Sequence, residues 1–182
     1  MDQHTGASRE QIEQLCIDCG LCCDGTLFDV GRIYGDEDLA LARSLGFSIG
    51  RRGEKTIFAL PCRHFDRACT IHAAPRPHIC GAFFCTPLRL LQRGAIALEQ
   101  ARAQLEQTVA LQRRFARLCS LDPDLAGLPI AAVRKHLHAQ GLDAEQQRAL
   151  RQRHGELYLI GLKLFPLIDA LMNRGPGRRE GD

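Results

Sequence analysis

The sequence predicts an α+β protein: a Cys-rich, metal-stapled N-terminal half with a small β-hairpin, followed by an all-α C-terminal half. Three observations lead there. Eight of the nine cysteines fall between Cys16 and Cys85. Two short apolar runs between Phe47 and Leu60 flank a Gly-Arg-Arg-Gly-Glu turn. After Pro87 the apolar positions recur at helical spacing instead.

The elements follow in order. Ser8 reads as the N-cap of a short helix from Arg9 to Leu15 that leads into the first cysteines. Gly20 and Gly25 let the chain turn tightly around whatever those cysteines hold. Asp36 to Leu45 is predicted helical, opened by Asp36, Glu37 and Asp38 at the positive end of its dipole and closed by Gly46. Those carboxylates read as a helix start rather than a hard-cation site. The hairpin spans Phe47 to Leu60, and Pro61 ends its second strand and delivers Cys62. From Cys62 to Cys85 no period of 2 or 3.6 persists, and Pro75 and Pro77 rule out an unbroken helix. An irregular segment of that length needs something to tie it down, and a metal site would do so.

Leu88 to Gln92 starts a helix that stops near Gly94. A longer helix, Ile96 to Leu118, sets Leu98, Ala101, Leu105, Val109, Phe115 and Leu118 on one stripe. Pro129 to Gln140 is a third, with Pro at its first position and Gly141 past its end. Asp143 caps a fourth that reaches Met172, kinked or split at Gly155 and Pro166. The expected domains are a cysteine-cluster metal-binding domain over residues 8–94, a helical extension packed on it over 95–174, and a disordered tail over 175–182.

Composition narrows the function. The net charge of +3 comes from 24 basic and 21 acidic residues. Eleven of each precede residue 96, so the small excess is diffuse. That does not resemble the concentrated basic face of a nucleic-acid binder, and no nucleic-acid partner is expected. The N-terminus lacks a basic region followed by an apolar run, so no secretory signal is read there. The most apolar stretch, Leu157 to Met172, is shorter than the ~20 residues a spanning helix needs and is interrupted by Lys163, Pro166 and Asp169. A cytoplasmic protein without a membrane partner is expected. The helices after Pro87 could pair with a protein partner, although such a stripe is more often core.

The cysteines carry the chemistry. An odd count, two adjacent residues and no export signal favour metal-bound thiolates over a disulfide framework. The first group is Cys16, Cys19, Cys22 and Cys23; the second is Cys62, Cys69, Cys80 and Cys85. Two intervening residues let a turn aim consecutive sulfurs at one ion, as in zinc sites and ferredoxin clusters. Eight thiols suffice for two S4 sites, or for one four-iron cluster with four left over. Cys22 and Cys23 are adjacent, so their side chains diverge: either they serve different sites or one is not a ligand. A structural zinc returns about 10–16 kcal/mol on binding, enough to order chain that is poor in large apolar side chains. Arg63, Arg67, Arg76 and Arg89 are placed to offset thiolate charge. His64, His72 and His78 could each replace a cysteine, but read better as supporting groups. His136 and His138 read as solvated, and Cys119 as a small buried hydrophobe.

These residues resemble the CxxCxxCC family of zinc- or iron-chelating proteins, the YkgJ-type cysteine cluster proteins. The likeness rests on Cys16, Cys19, Cys22, Cys23, then Pro61-Cys62, Cys69-Thr70-Ile71-His72, Arg76-Pro77, Cys80 and Cys85, and covers roughly residues 14–86. His72 stands where Tyr is usual, an extra residue precedes Arg76-Pro77, Gly81 replaces a common Arg, and the Cys80–Cys85 interval is a little long. The resemblance implies metal binding, with zinc or an iron–sulfur cluster as cofactor. Zinc would be structural; a cluster would permit electron transfer. One branch of the family includes flagellin lysine N-methylases, so a protein-modifying transferase is an alternative. A thiol-redox switch without permanent metal is another.

Overall fold

The computed structural model describes residues 7–138 and 141–172. The tail expected to be disordered, 175–182, lies outside them, as do residues 139 and 140 at the end of the third predicted long helix. The chain divides into two compact units, before and after the Leu105–Glu106 bond.

The first unit opens with α1 (Arg9–Cys19), capped by Ser8 in a reciprocal capping box with Gln11. The helix runs four residues past its expected end. Leu15 carries no stop signal; the stop is Gly20, in the left-handed conformation at φ 64°, whose N–H donates to the Cys16 carbonyl at 3.2 Å. Cys16 and Cys19 therefore sit on the helix rather than beyond it.

Next come β1 (Val30–Arg32), α2 (Gly35–Ser44), β2 (Ile49–Arg52) and β3 (Lys55–Ala59). The expected hairpin is β2 with β3, in register Ile49↔Phe58 to Arg52↔Lys55 around Gly53 and Glu54. β1 was not expected: three residues are too few to display a period of 2. It adds antiparallel to the far edge of β3, giving the order β1-β3-β2. Gly31 makes this pairing feasible, since a Cβ there would stand 2.1 Å from the Phe58 ring.

Ile33, Ala42, Phe47 and Phe58 form a buried core, with Leu39, Leu45, Ile49, Leu60, Cys62, Ile71 and Ile79 packed around it. This half, poor in large apolar side chains as expected, nonetheless has a small apolar core. Its few large side chains are concentrated where α2 meets the sheet, and the cysteine segments border that core. The Cys62–Cys85 stretch is irregular as expected, apart from a two-residue ladder of β4 (Phe65–Asp66) with β5 (Ala68–Cys69) and the short α3 (Ile79–Ala82); α4 (Thr86–Gln92) follows it, ahead of Gly94.

α5 (Leu98–Ser120) contains the boundary between the units. Its buried positions are Ala101, Leu105, Thr108, Phe115 and Cys119, while Val109 and Leu118 are only half-buried. The second unit continues with α6 (Ile130–Leu137), α7 (Ala144–Arg153) and α8 (Gly155–Leu171). Asp143 caps α7 with its side chain on the N–H groups of Glu145 and Gln146. The split at Gly155 is present; the one at Pro166 is not. Leu164, Phe165 and Ile168 are buried on either side of Pro166, and that packing outweighs the missing N–H. Arg134 forks onto Asp169 with two contacts of 2.8 Å. Among the described residues no helix is long and apolar enough to cross a membrane.

Candidate metal centre

Six stretches of the first unit deliver its eight cysteines. Cys16 and Cys19 lie one turn apart on α1, and so on the same side of it. The chain then turns on Gly20, whose carbonyl accepts from the Cys23 and Asp24 N–H groups at 2.8 and 2.9 Å. This tight turn carries Cys22 and Cys23. Cys62 arrives after β3, its N–H donating to the Cys23 carbonyl at 2.7 Å. Cys69 lies on β5 opposite Phe65, and β5 packs beside α1. The Phe65 ring lies where a side chain on Gly20 would be, 2.2 Å from an added Cβ. Cys80 sits in α3, and Cys85 is the N-cap residue of α4.

The thiols fall into two electrostatic neighbourhoods. Cys22 is affected by Cys16, Cys19 and Cys85 ahead of its neighbour Cys23. Cys19 interacts with Cys85 and Cys16, and Cys85 with Cys16. Cys23 is affected first by Cys62 and Cys69, with Cys16 and Cys80 after them. Cys80 interacts with Cys62 and Cys69, and Cys62 with Cys69. One quartet is therefore Cys16, Cys19, Cys22 and Cys85. The other is Cys23, Cys62, Cys69 and Cys80. Cys16 lies between them, since it also interacts with Cys69.

Burial dominates the acidity of these groups. It pushes the thiols of Cys19 and Cys23 up to about 12 and that of Cys85 to about 11, with neighbouring thiols adding to the rise. Cys22 is driven well above the ordinary thiol value by burial, then by its quartet. Cys80 is accessible at the wall of a pocket, yet its surroundings also raise it to about 12, burial first and Cys62 next. Cys16 and Cys62 rise for the same leading reason. Backbone N–H groups oppose this: Leu21 donates to Cys19, His64 to Cys62 at 3.4 Å, and Leu88 to Cys85. Amides aimed at sulfur favour the thiolate form that a metal ion requires.

The basic residues divide. Arg76 eases the ionisation of Cys16 and Cys80, and Arg89 that of Cys85. Arg63 instead donates to the Gly46 carbonyl, and Arg67 pairs with Asp66 at 3.8 Å. His64 hydrogen-bonds the Leu45 carbonyl through Nε2 at 2.9 Å and packs on Phe47. The His78 N–H donates to the Asp38 carboxylate, which also accepts from the Tyr34 N–H; this ties the start of α2 to the approach to Cys80. His72 borders the pocket, its imidazole held below the ordinary range by burial and then by Arg76. In the second unit His136 and His138 are exposed, and Cys119 is buried at 6% exposure. Glu13 was missed from sequence. It lies one turn before Cys16 on α1, borders the same pocket, and accepts from Arg9 at 2.7 Å. Carrying the helix through to Cys19 would have revealed it.

Among the described residues no three His, Cys, Asp or Glu side chains form a ready group that could hold a metal ion. The donor chemistry nonetheless fits a thiophilic ion: each neighbourhood offers four sulfurs, and backbone N–H groups bond sulfur in both. No protein-family model, curated protein or solved structure matches the chain.

Proposed function

We propose that the chain is a metal-binding cysteine cluster protein of the YkgJ type, holding zinc or iron–sulfur centres on two four-thiolate sites. One site comprises Cys16, Cys19, Cys22 and Cys85, the other Cys23, Cys62, Cys69 and Cys80. The observation that carries this reading is that eight cysteines from scattered positions come near enough to influence one another's ionisation, Cys22 chiefly with Cys16, Cys19 and Cys85 and Cys23 chiefly with Cys62 and Cys69. Buried thiols gathered at random would repel on ionisation with nothing gained. A divalent ion or cluster turns that repulsion into attraction and displaces the protons. These cysteines would let bound metal cross-link α1, the turn after it, β5, α3 and the start of α4. The chain's own residues contribute the sulfurs, the N–H groups of Leu21, His64 and Leu88, and the positive charges of Arg76 and Arg89.

The test is anaerobic purification followed by metal and acid-labile sulfide analysis. Two zinc ions per chain, or iron with sulfide, supports the reading. Metal-free protein that melts identically with and without a strong chelator overturns it.

A further inference from the structure

We infer that α8 is a self-association surface: two copies of the chain dock through it, antiparallel about a two-fold axis, each Leu159 against Leu162 of the other copy. Leu159 and Leu162 project from α8 at 66% and 68% exposure. The opposite side of the helix, with Leu157, Ile160, Leu164 and Ile168, is buried. Two neighbouring exposed leucines leave burial unrealised and mark a surface that another chain can cover. They belong to a longer strip. Gly155, Leu159, Leu162 and Pro166 follow one another at the alternating four- and three-residue steps of a helix-pairing seam. On the Tyr158 side of this strip a groove of about 740 Å³, bordered also by Leu142 and Leu150, gives a side chain of the second copy room to enter.

Charge selects the occupant and its direction. Glu156 and Lys163 are both exposed and lie two turns apart, so they share the other flank of the strip. An antiparallel two-fold axis centred between Leu159 and Leu162 sets Glu156 of each copy beside Lys163 of the other, offset by about 3 Å along the helix. A parallel pairing would set like charges level instead. Glu156 already accepts from Arg114 at 2.6 Å on the surface. A carboxylate accepts several bonds, so Lys163 of the second copy adds to that pair rather than displacing it. Among the described residues no acid pairs with Lys163. The strip therefore carries its own complement, which is what an isologous contact requires. Residues 173–182, which follow α8 in the sequence, contain no Leu, Ile, Val, Met or aromatic side chain to bury against it.

Sedimentation equilibrium on the full chain, at one fixed metal load, tests this, with circular dichroism to compare the fold of each variant with the parent. A contact this short gives a weak dimer, with Kd on the order of tens of micromolar. Leu162→Lys should raise that value at least about tenfold. Glu156→Lys and Lys163→Glu each put like charges across the contact, and each alone should weaken the dimer several-fold. An equimolar mixture of those two variants restores both opposite-charge pairs and should dimerise as the parent does. The Arg114 contact is lost equally in Glu156→Lys alone and in the mixture, so recovery on mixing reports the contact between copies. A chain that stays monomeric up to about 500 μM, a dimer indifferent to Leu162→Lys, or a mixture no tighter than its two components overturns the inference.

Discussion

The Cys62 N–H donates to the Cys23 carbonyl at 2.7 Å, joining two cysteine groups that lie far apart in the sequence. The same residues are electrostatic neighbours through their thiols. A backbone bond beside a shared sulfur environment fixes the spacing of the two segments, so sulfur coordination and main-chain order should rise and fall together.

Removal of metal should therefore be felt locally. Amide hydrogen exchange followed by mass spectrometry, on metal-loaded and chelator-stripped protein, should show faster exchange in peptides covering residues 16–27 and 60–85 after stripping. Peptides from α6 and α8, which carry none of the eight cysteines, should exchange as before. Equal acceleration everywhere, or none in the cysteine segments, would contradict the assignment.

Cys22 and Cys23 should behave as members of different sites. Cys22→Ser and Cys23→Ser should each lower the metal content by one site, and the double substitution by both. Cys119→Ala should keep full metal content, because that thiol is buried in α5 outside the cluster. Elemental analysis of the purified variants decides. Equal metal content in the double and single variants would show that the two cysteines serve one site.

Gly20 should tolerate no side chain. Its backbone sits at φ 64°, and a Cβ would meet the Phe65 ring at 2.2 Å. Gly20→Ala should destabilise the protein by about 2–4 kcal/mol, adding backbone strain to overpacking. Urea unfolding at fixed metal load measures it. Phe65→Ala in the Gly20→Ala background should recover the overpacking part and leave the backbone part.

Legibility in the sequence followed the range of each signal. Caps were read well: Ser8 and Asp143 act locally, and both stand where side-chain and backbone chemistry place them. The β2–β3 hairpin was equally visible, because its turn lies between its strands. β1 was not, since Val30–Arg32 becomes a strand only by pairing with Ile57–Ala59. The same limit hid the partition of the thiols. That Cys22 and Cys23 diverge follows from adjacency, but Cys85 joining Cys19, and Cys80 joining Cys62, are set by tertiary packing. Pro166 marks the converse case, a strong local breaker overruled by buried neighbours.

The second unit should carry its own acid sensitivity, centred on His154. This residue is 4% exposed at the α7–α8 junction. Its Nδ1 lies 3.4 Å from the Asp122 carboxylate, its ring lies 5.7 Å from that of His136, and Arg153 pairs with both Asp122 and Asp124. Burial lowers its pKa from the ordinary 6.5; Asp122 and Asp124 oppose this, and Arg153 and His136 add to it. The sign follows. Below pH 6.5 the unfolded chain takes up a proton that folded His154 resists, so stability is full above that value and declines as pH falls. His154→Gln keeps a polar side chain of similar reach but cannot titrate. Urea midpoints at pH 7.5 and 5.5 should drop more for the parent protein than for His154→Gln. An equal drop in both would place the acid sensitivity elsewhere, and a larger drop in the variant would mean that protonated His154 is held by Asp122 more strongly than burial opposes it.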